Sequence, residues 1–140
     1  LGRGNGEIFH EFNGKVVTDS SDSKYIGADV GSNNTAELTA FAEALRWVLS
    51  EGGDSEIIIK TDSQYAGNQA TGAWKAKANR ELVAHVQALW QEVSEIRELS
   101  WEHVKAHSGH RWNERADHLA VRAASNEAPV SLSFWKPGQR

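Results

Sequence analysis

The chain has 140 residues and no cysteine. That excludes disulfides, thiolate zinc sites and cysteine nucleophiles together, and it suits a reducing compartment, so a cytoplasmic location is expected. Methionine is absent too, even at position 1. A start methionine is not normally trimmed from before a residue as large as Leu1, so further residues are expected upstream. No apolar run approaches the ~18 residues of a spanning helix, and no basic and apolar leader opens the sequence, so a soluble protein with no membrane partner is expected. Cations are scarce: 15 Lys and Arg against 19 Asp and Glu leave a net charge of -4. This argues against a protein that coats nucleic acid nonspecifically, which needs clustered Lys and Arg.

What is present reads as one domain, long enough to bury roughly 65–70% of its unfolded surface. Ile8 to Phe12 and Lys15 to Thr18 flank Asn13-Gly14, a strong signal for a two-stranded hairpin. Leu38, Phe41, Ala42, Leu45, Val48 and Leu49 repeat at helical spacing over residues 36–49, and Gly52-Gly53 stops that helix. Ile57-Ile58-Ile59, within Glu56 to Asp62, reads as a buried strand. Ser63 to Gln69 reads as a short helix, Arg80 to Ile96 as a longer amphipathic one, Leu99 to Val104 as a strand and Asn113 to Ala124 as a last helix. This order is mixed α/β. In the tail, Val130, Leu132 and Phe134 alternate with Ser131 and Ser133, which predicts one more strand. The expected division is therefore a domain over residues 1–125 and a tail over 126–140 that adds a strand to the sheet.

Several residues invite both a functional and a purely structural role. Asn34 and Glu37, three apart before an apolar run, are close to a capping box, in which each side chain satisfies an orphan backbone donor. Asp62, at the carboxyl end of a strand, sits where open α/β sheets gather functional groups, and it is equally placed to cap the next helix. Asp117, near Trp112, Ala116, Leu119 and Ala120, is costly to bury unless paired or bound to metal. Three converging carboxylates would repel one another and need a divalent cation between them, and oxygen ligands favour Mg²⁺ or Mn²⁺. His103, His107 and His110 lack the helical or knuckle spacing of a zinc site. His107, in a Ser-Gly loop, suits a proton shuttle better. Asp19-Ser-Ser-Asp22 lacks the Gly and Glu of a calcium loop and reads as a turn.

Four motifs in order, S-N-N-T-A-E-L, K-T-D-S-Q-Y-A, T-G-A-W-K-A-K and H-V-K-A-H-S-G-H-R-W-N-E-R-A-D-H-L-A, resemble those of type 1 ribonuclease H across residues 31–124. The resemblance implies a five-stranded mixed sheet flanked by helices. It also implies endonucleolytic cleavage of the RNA strand of an RNA/DNA hybrid by two divalent metals held on four carboxylates. It carries the second, third and fourth carboxylates to Glu37, Asp62 and Asp117, and the loop histidine to His107. It places Asn33, Asn34 and Gln64 on the hybrid's minor groove, where the 2′-hydroxyls lie, and Ser32 and Trp74 on the DNA strand. Lys75, Lys77 and Arg80 stand where the family has a basic protrusion, enough for a few phosphate contacts and a salt-sensitive affinity.

The sequence departs from the pattern at one point. The family's first strand carries the first Asp in a T-D-G-like motif, and nothing here matches it; Leu1 to Gly6 resembles the Gly-rich turn on the C-terminal side of that motif. The expectation divides between a first strand encoded upstream and a vacancy filled by Val130 to Trp135, in its own chain or by exchange within a homodimer. Glu7 is the nearest acid to the gap. The expected activity is therefore metal-dependent cleavage of the hybrid at a site weakened by the missing Asp. The alternative is a non-catalytic hybrid-binding or structural domain of the same fold. A transposase or integrase fits the H-S-G-H and N-E-R-A-D segments less well.

Overall fold

Helix α1, Asn33–Glu51, is the longest element, and Gly52, in the left-handed region at φ 74, ends it at the predicted stop. A computed structural model describes residues 1–3, 7, 8, 10–105 and 110–137. After α1 come β1 (Ile57–Thr61), α2 (Gln64–Thr71), α3 (Arg80–Ile96), β2 (Leu99–His103) and α4 (Arg111–Ala124). The chain divides into two compact units, one of residues 1–15 and 105–140, the other Val16–Val104.

The Val16–Val104 unit is built on apolar periodicity. Leu38, Phe41, Ala42, Leu45 and Val48 of α1 and Leu82, Val83, Val86 and Val93 of α3 are buried in one cluster. Helix α1 packs on α3 and α2, and Phe41 meets Trp90 with ring centroids 5.9 Å apart. At the far end of α3, buried Arg97 donates from Nε to the Ser55 carbonyl (2.8 Å). Strands β1 and β2 pair in parallel, from Ile57 opposite Leu99 to Thr61 opposite His103. The expected buried strand is half-buried instead: Ile57 and Ile59 are sheltered while Ile58 is 42% exposed. Helix α2 lies against β2 so closely that a Cβ on Gly67 would stand 2.4 Å from the Trp101 ring. Only glycine fits there.

Three expectations are corrected. Among the described residues the sheet is two-stranded, not five-stranded. The hairpin around Asn13-Gly14 is not formed; the described N-terminal pairing is one isolated antiparallel bridge, Gly2 with Ile8. The hairpin's groups bond elsewhere, since Asn13 donates from its amide to the Leu119 carbonyl (3.0 Å) and Glu11 pairs with Arg115. The tail is a turn, not a strand: the Ser131 carbonyl accepts from the N–H groups of Phe134 and Trp135, both at 2.9 Å. The strand exchange expected of that segment loses its strand. Trp135 is buried at 3% exposure and Phe134 lies out at 79%, so the alternating pattern does not mark the buried side.

Candidate active site

Asp62 is the single residue between the end of β1 and the N-cap of α2, and hydrogen bonds fix the turn on both sides. Val104 N–H donates to the Thr61 carbonyl (2.8 Å), Ser63 N–H to Thr61 Oγ1 (3.0 Å), and Ala66 N–H to Ser63 Oγ (3.0 Å). The cap of α2 is therefore Ser63, and the structural role left open for Asp62 is taken by its neighbour. Asp62 is half-buried.

Glu37 is released from capping in the same way. Ser32 caps α1: Thr35 N–H donates to Ser32 Oγ (3.2 Å) and Ser32 N–H to Thr35 Oγ1 (2.8 Å). The capping box is Ser32 with Thr35, not Asn34 with Glu37, because the helix starts three residues earlier than the apolar pattern indicates. Glu37, fifth in the helix, falls beyond the first turn and is half-buried.

Polar groups with access to solvent surround these starts. Ser32, Asn33 and Asn34 are exposed at the N-terminus of α1, and Gln64 is exposed as the first residue of α2. Helix N-termini present unpaired N–H donors and a positive dipole end, which favour anionic oxygens. Beyond α2, Gly72 (φ 80) turns the chain into a segment that displays Trp74, 45% exposed. An open groove of about 730 Å³ is lined there by Gly72, Trp74, Lys75, Arg80 and Gln87, among others. Lys77 is exposed but does not line it. Asn79, in the left-handed region at φ 55, donates to the Tyr65 hydroxyl (3.2 Å) and sets the start of α3.

Asp117 belongs to the other unit, on α4, and is half-buried. The apolar face expected around it is corrected. Ala116 and Ala120 are exposed, and the buried residues of α4 are Arg115 and His118. Arg115 makes a two-pronged ion pair with Glu11, Nε to Oε2 at 2.7 Å and Nη2 to Oε1 at 2.8 Å. The Arg115 hydrogen bond holds the Glu11 carboxyl below its ordinary range, and Glu11 in turn raises the guanidinium. Burial lowers the His118 imidazole, with the nearby Arg115 and Arg122 charges adding to it. His118 Nε2 accepts from Val130 N–H (3.0 Å), and its Nδ1 is buried with no partner among the described residues. His110 caps α4 through Nδ1, which accepts from Asn113 N–H (3.2 Å). The sequence pattern points to none of these roles. Arg115 and His118, three apart on one helical face, are buried by Glu11 and Val130 from outside the helix, which no local pattern marks.

His107 falls at 106–109, outside the described residues, and His103 is exposed at the end of β2. Glu7 is exposed and ion-paired with Arg3 at 3.4 Å. Glu37 and Asp62 share one unit, and Asp117 lies in the other. Among the described residues no group of three or more His, Asp or Glu side chains that could hold a metal ion is gathered. As donors, three half-buried carboxylates offer hard oxygen ligands with a path to solvent, which is the chemistry Mg²⁺ and Mn²⁺ require. No helix among the described residues is long and apolar enough to cross a membrane.

Residues 9–125 match the RNase H family model. The ribonuclease H of Tropheryma whipplei (strain Twist) is 37% identical over 125 residues, covering 80% of this chain and 74% of that protein. The ribonuclease H of Campylobacter curvus (strain 525.92) is 34% identical over 142 residues, covering 92% and 89%. The crystal structure of RNase H1 from the halophilic archaeon Halobacterium salinarum NRC-1 superimposes with a TM-score of 0.56 at 31% identity, over 69% of this chain and 70% of that one.

Proposed function

Because the chain belongs to the ribonuclease H family and is an enzyme of that class, we propose that it cuts the RNA strand of RNA/DNA hybrids internally, with divalent cations held by Glu37, Asp62 and Asp117. The observation that carries this reading is the placement of Asp62 at the carboxyl end of β1, in a turn held by three backbone N–H donors, one to the Thr61 carbonyl and two to the Thr61 and Ser63 hydroxyls, with Ser63 as the helix cap. Such fixed geometry suits a ligand better than a solvated side chain does.

When bound, Mg²⁺ or Mn²⁺ would supply activation of the attacking water and stabilisation of the leaving 3′ oxygen of the RNA. The chain's own groups bind and orient. Asn33, Asn34 and Gln64, exposed at two helix starts, offer donors and acceptors to 2′-hydroxyls in the minor groove. Ser32 and Trp74 take the DNA strand, with the Trp74 indole as an apolar wall against a sugar. Lys75, Lys77 and Arg80 contact phosphates, so affinity falls steeply with salt. His107 carries a proton to or from the site. We place the catalytic domain at residues 1–125 and the action in the cytoplasm, the latter on the cysteine-free composition.

The test is cleavage of a labelled RNA/DNA hybrid in Mg²⁺ or Mn²⁺, with Asp62→Asn as the control. Internal cuts in the RNA strand alone are expected, and a loss of at least about a hundredfold in the variant, since even partners of metal ligands cost 10–100-fold. Binding of the hybrid without cleavage would establish the alternative, a non-catalytic hybrid-binding domain. Cleavage that survives Asp62→Asn would remove Asp62 from the site.

A further inference from the structure

We propose that residues 130–135 form a clasp that positions helix α4, and through it Asp117, with Trp135 as its central positioning residue. The role given to Asp117 rests on the function proposed above. The clasp itself rests on the structure of the unit made by residues 1–15 and 105–140.

Two sets of contacts close it. Along the backbone, Val130 is held in both directions: its N–H donates to His118 Nε2 (3.0 Å) and its carbonyl accepts from Arg115 Nη1 (2.8 Å). At the side chain, Trp135 is 3% exposed. Its ring lies 5.7 Å from the Arg111 guanidinium carbon, 5.4 Å from that of Arg115 and 6.1 Å from the His118 ring centroid. Arg111, Arg115 and His118 are spaced i, i+4 and i+7, so they form one stripe down α4, and the indole covers it across two turns.

Asp117 is one residue before His118, about 100° round the helix. The clasp therefore grips one face and leaves the neighbouring face, with Asp117, uncovered by it. Arg115 links a third segment to the same point, because its remaining donors hold Glu11. A helix gripped by hydrogen bonds and an aromatic plate has its rotation about its own axis fixed, which is the freedom that would move Asp117 most. Residues 130–135 lie outside residues 9–125, which match the family model.

The experiment uses the full chain with Trp135→Ala, Trp135→Phe and Val130→Pro. Val130→Pro removes the single N–H donated to His118, and it serves if Trp135→Ala does not fold. Native-state amide exchange is read at α4 and, as a control, at α1 and α3. With Trp135→Ala or Val130→Pro, exchange around Asp117 is expected to speed up about tenfold or more while α1 and α3 stay unchanged. The Mn²⁺ concentration for half-maximal cleavage is expected to rise about tenfold, with kcat lowered and the KM for hybrid unchanged. Trp135→Phe, which keeps a ring on the stripe, should recover most of both. Unchanged exchange in α4 would overturn the clasp, and so would a loss confined to KM. If the parent protein cleaves nothing, the functional reading fails, and exchange at α4 still decides the clasp.

Discussion

The two units are held together internally by opposite means. The Val16–Val104 unit contains every residue of the buried apolar cluster, aliphatic and aromatic side chains from α1, α2 and α3 among them. In the other unit the buried side chains of α4 are Arg115 and His118, with Trp135 laid over them and Glu11 paired beneath. Apolar packing is cumulative: each methylene adds a little, and losses scale with the volume removed. A charge network around a buried guanidinium is closer to all-or-none, because removing one partner leaves the others without the bonds that offset their desolvation. The unit that carries Asp117 therefore depends on a handful of directional contacts, while the unit that carries Glu37 and Asp62 has apolar packing in reserve.

The largest effect expected is in the apolar unit. Leu45→Ala empties a fully buried site and should cost about 2–5 kcal/mol in a urea melt. Next is Arg115→Ala, which strands the Glu11 carboxylate and the Val130 carbonyl, at about 3 kcal/mol. The contrast sharpens if Glu11→Gln in the Arg115→Ala background restores much of that loss, and it breaks if Arg115→Ala alone costs less than about 1 kcal/mol, as for an ordinary surface pair. Gly67→Ala drives a methyl into the Trp101 ring and should cost about 1–3 kcal/mol, with the melt as the measure.

The smallest effect is the response to acid. The Glu11 carboxyl is held below its ordinary value of 4.5 by its hydrogen bond to Arg115, burial opposing, with the Arg115, N-terminal and His118 charges also facing it. A carboxyl depressed in the folded state binds its proton more readily when unfolded. The pair's contribution is therefore complete above the ordinary value and is lost as pH falls through 4.5 toward the depressed folded value. Between pH 5 and 3, roughly the window of such linkage, the urea midpoint of the parent should fall more than that of Glu11→Gln. Parallel curves would show that the pair adds no pH-dependent stability.

The same contrast explains what can be read in the sequence. Helix α3 spans the residues its periodicity marks, Arg80–Ile96, and α1 stops at the predicted Gly52, because in this unit burial follows a local repeat. The hairpin at Asn13 and the strand at Val130 to Trp135 fail where long-range partners decide the backbone. Asn13 bonds Leu119 and Glu11 bonds Arg115, each more than a hundred positions away, and no window of neighbouring residues contains that information. The helix starts differ from the pattern by small steps with large meaning. Ser32 and Ser63 take the caps that the local pattern offers to Asn34 with Glu37 and to Asp62. The position of Asp62 is legible because a strand's carboxyl end is a local feature, whereas His118 as a buried acceptor depends on how the tail folds back.

The contact between Gly67 and the Trp101 ring has a mechanical side. An indole is a stiff plate with no internal torsions, unlike a leucine or methionine that can change rotamer to take up slack. Helix α2 rests its backbone directly on that plate, so its height above β2 is gauged by the thickness of an aromatic ring. Asp62 leads into α2 from β1, and it inherits that fixed gauge.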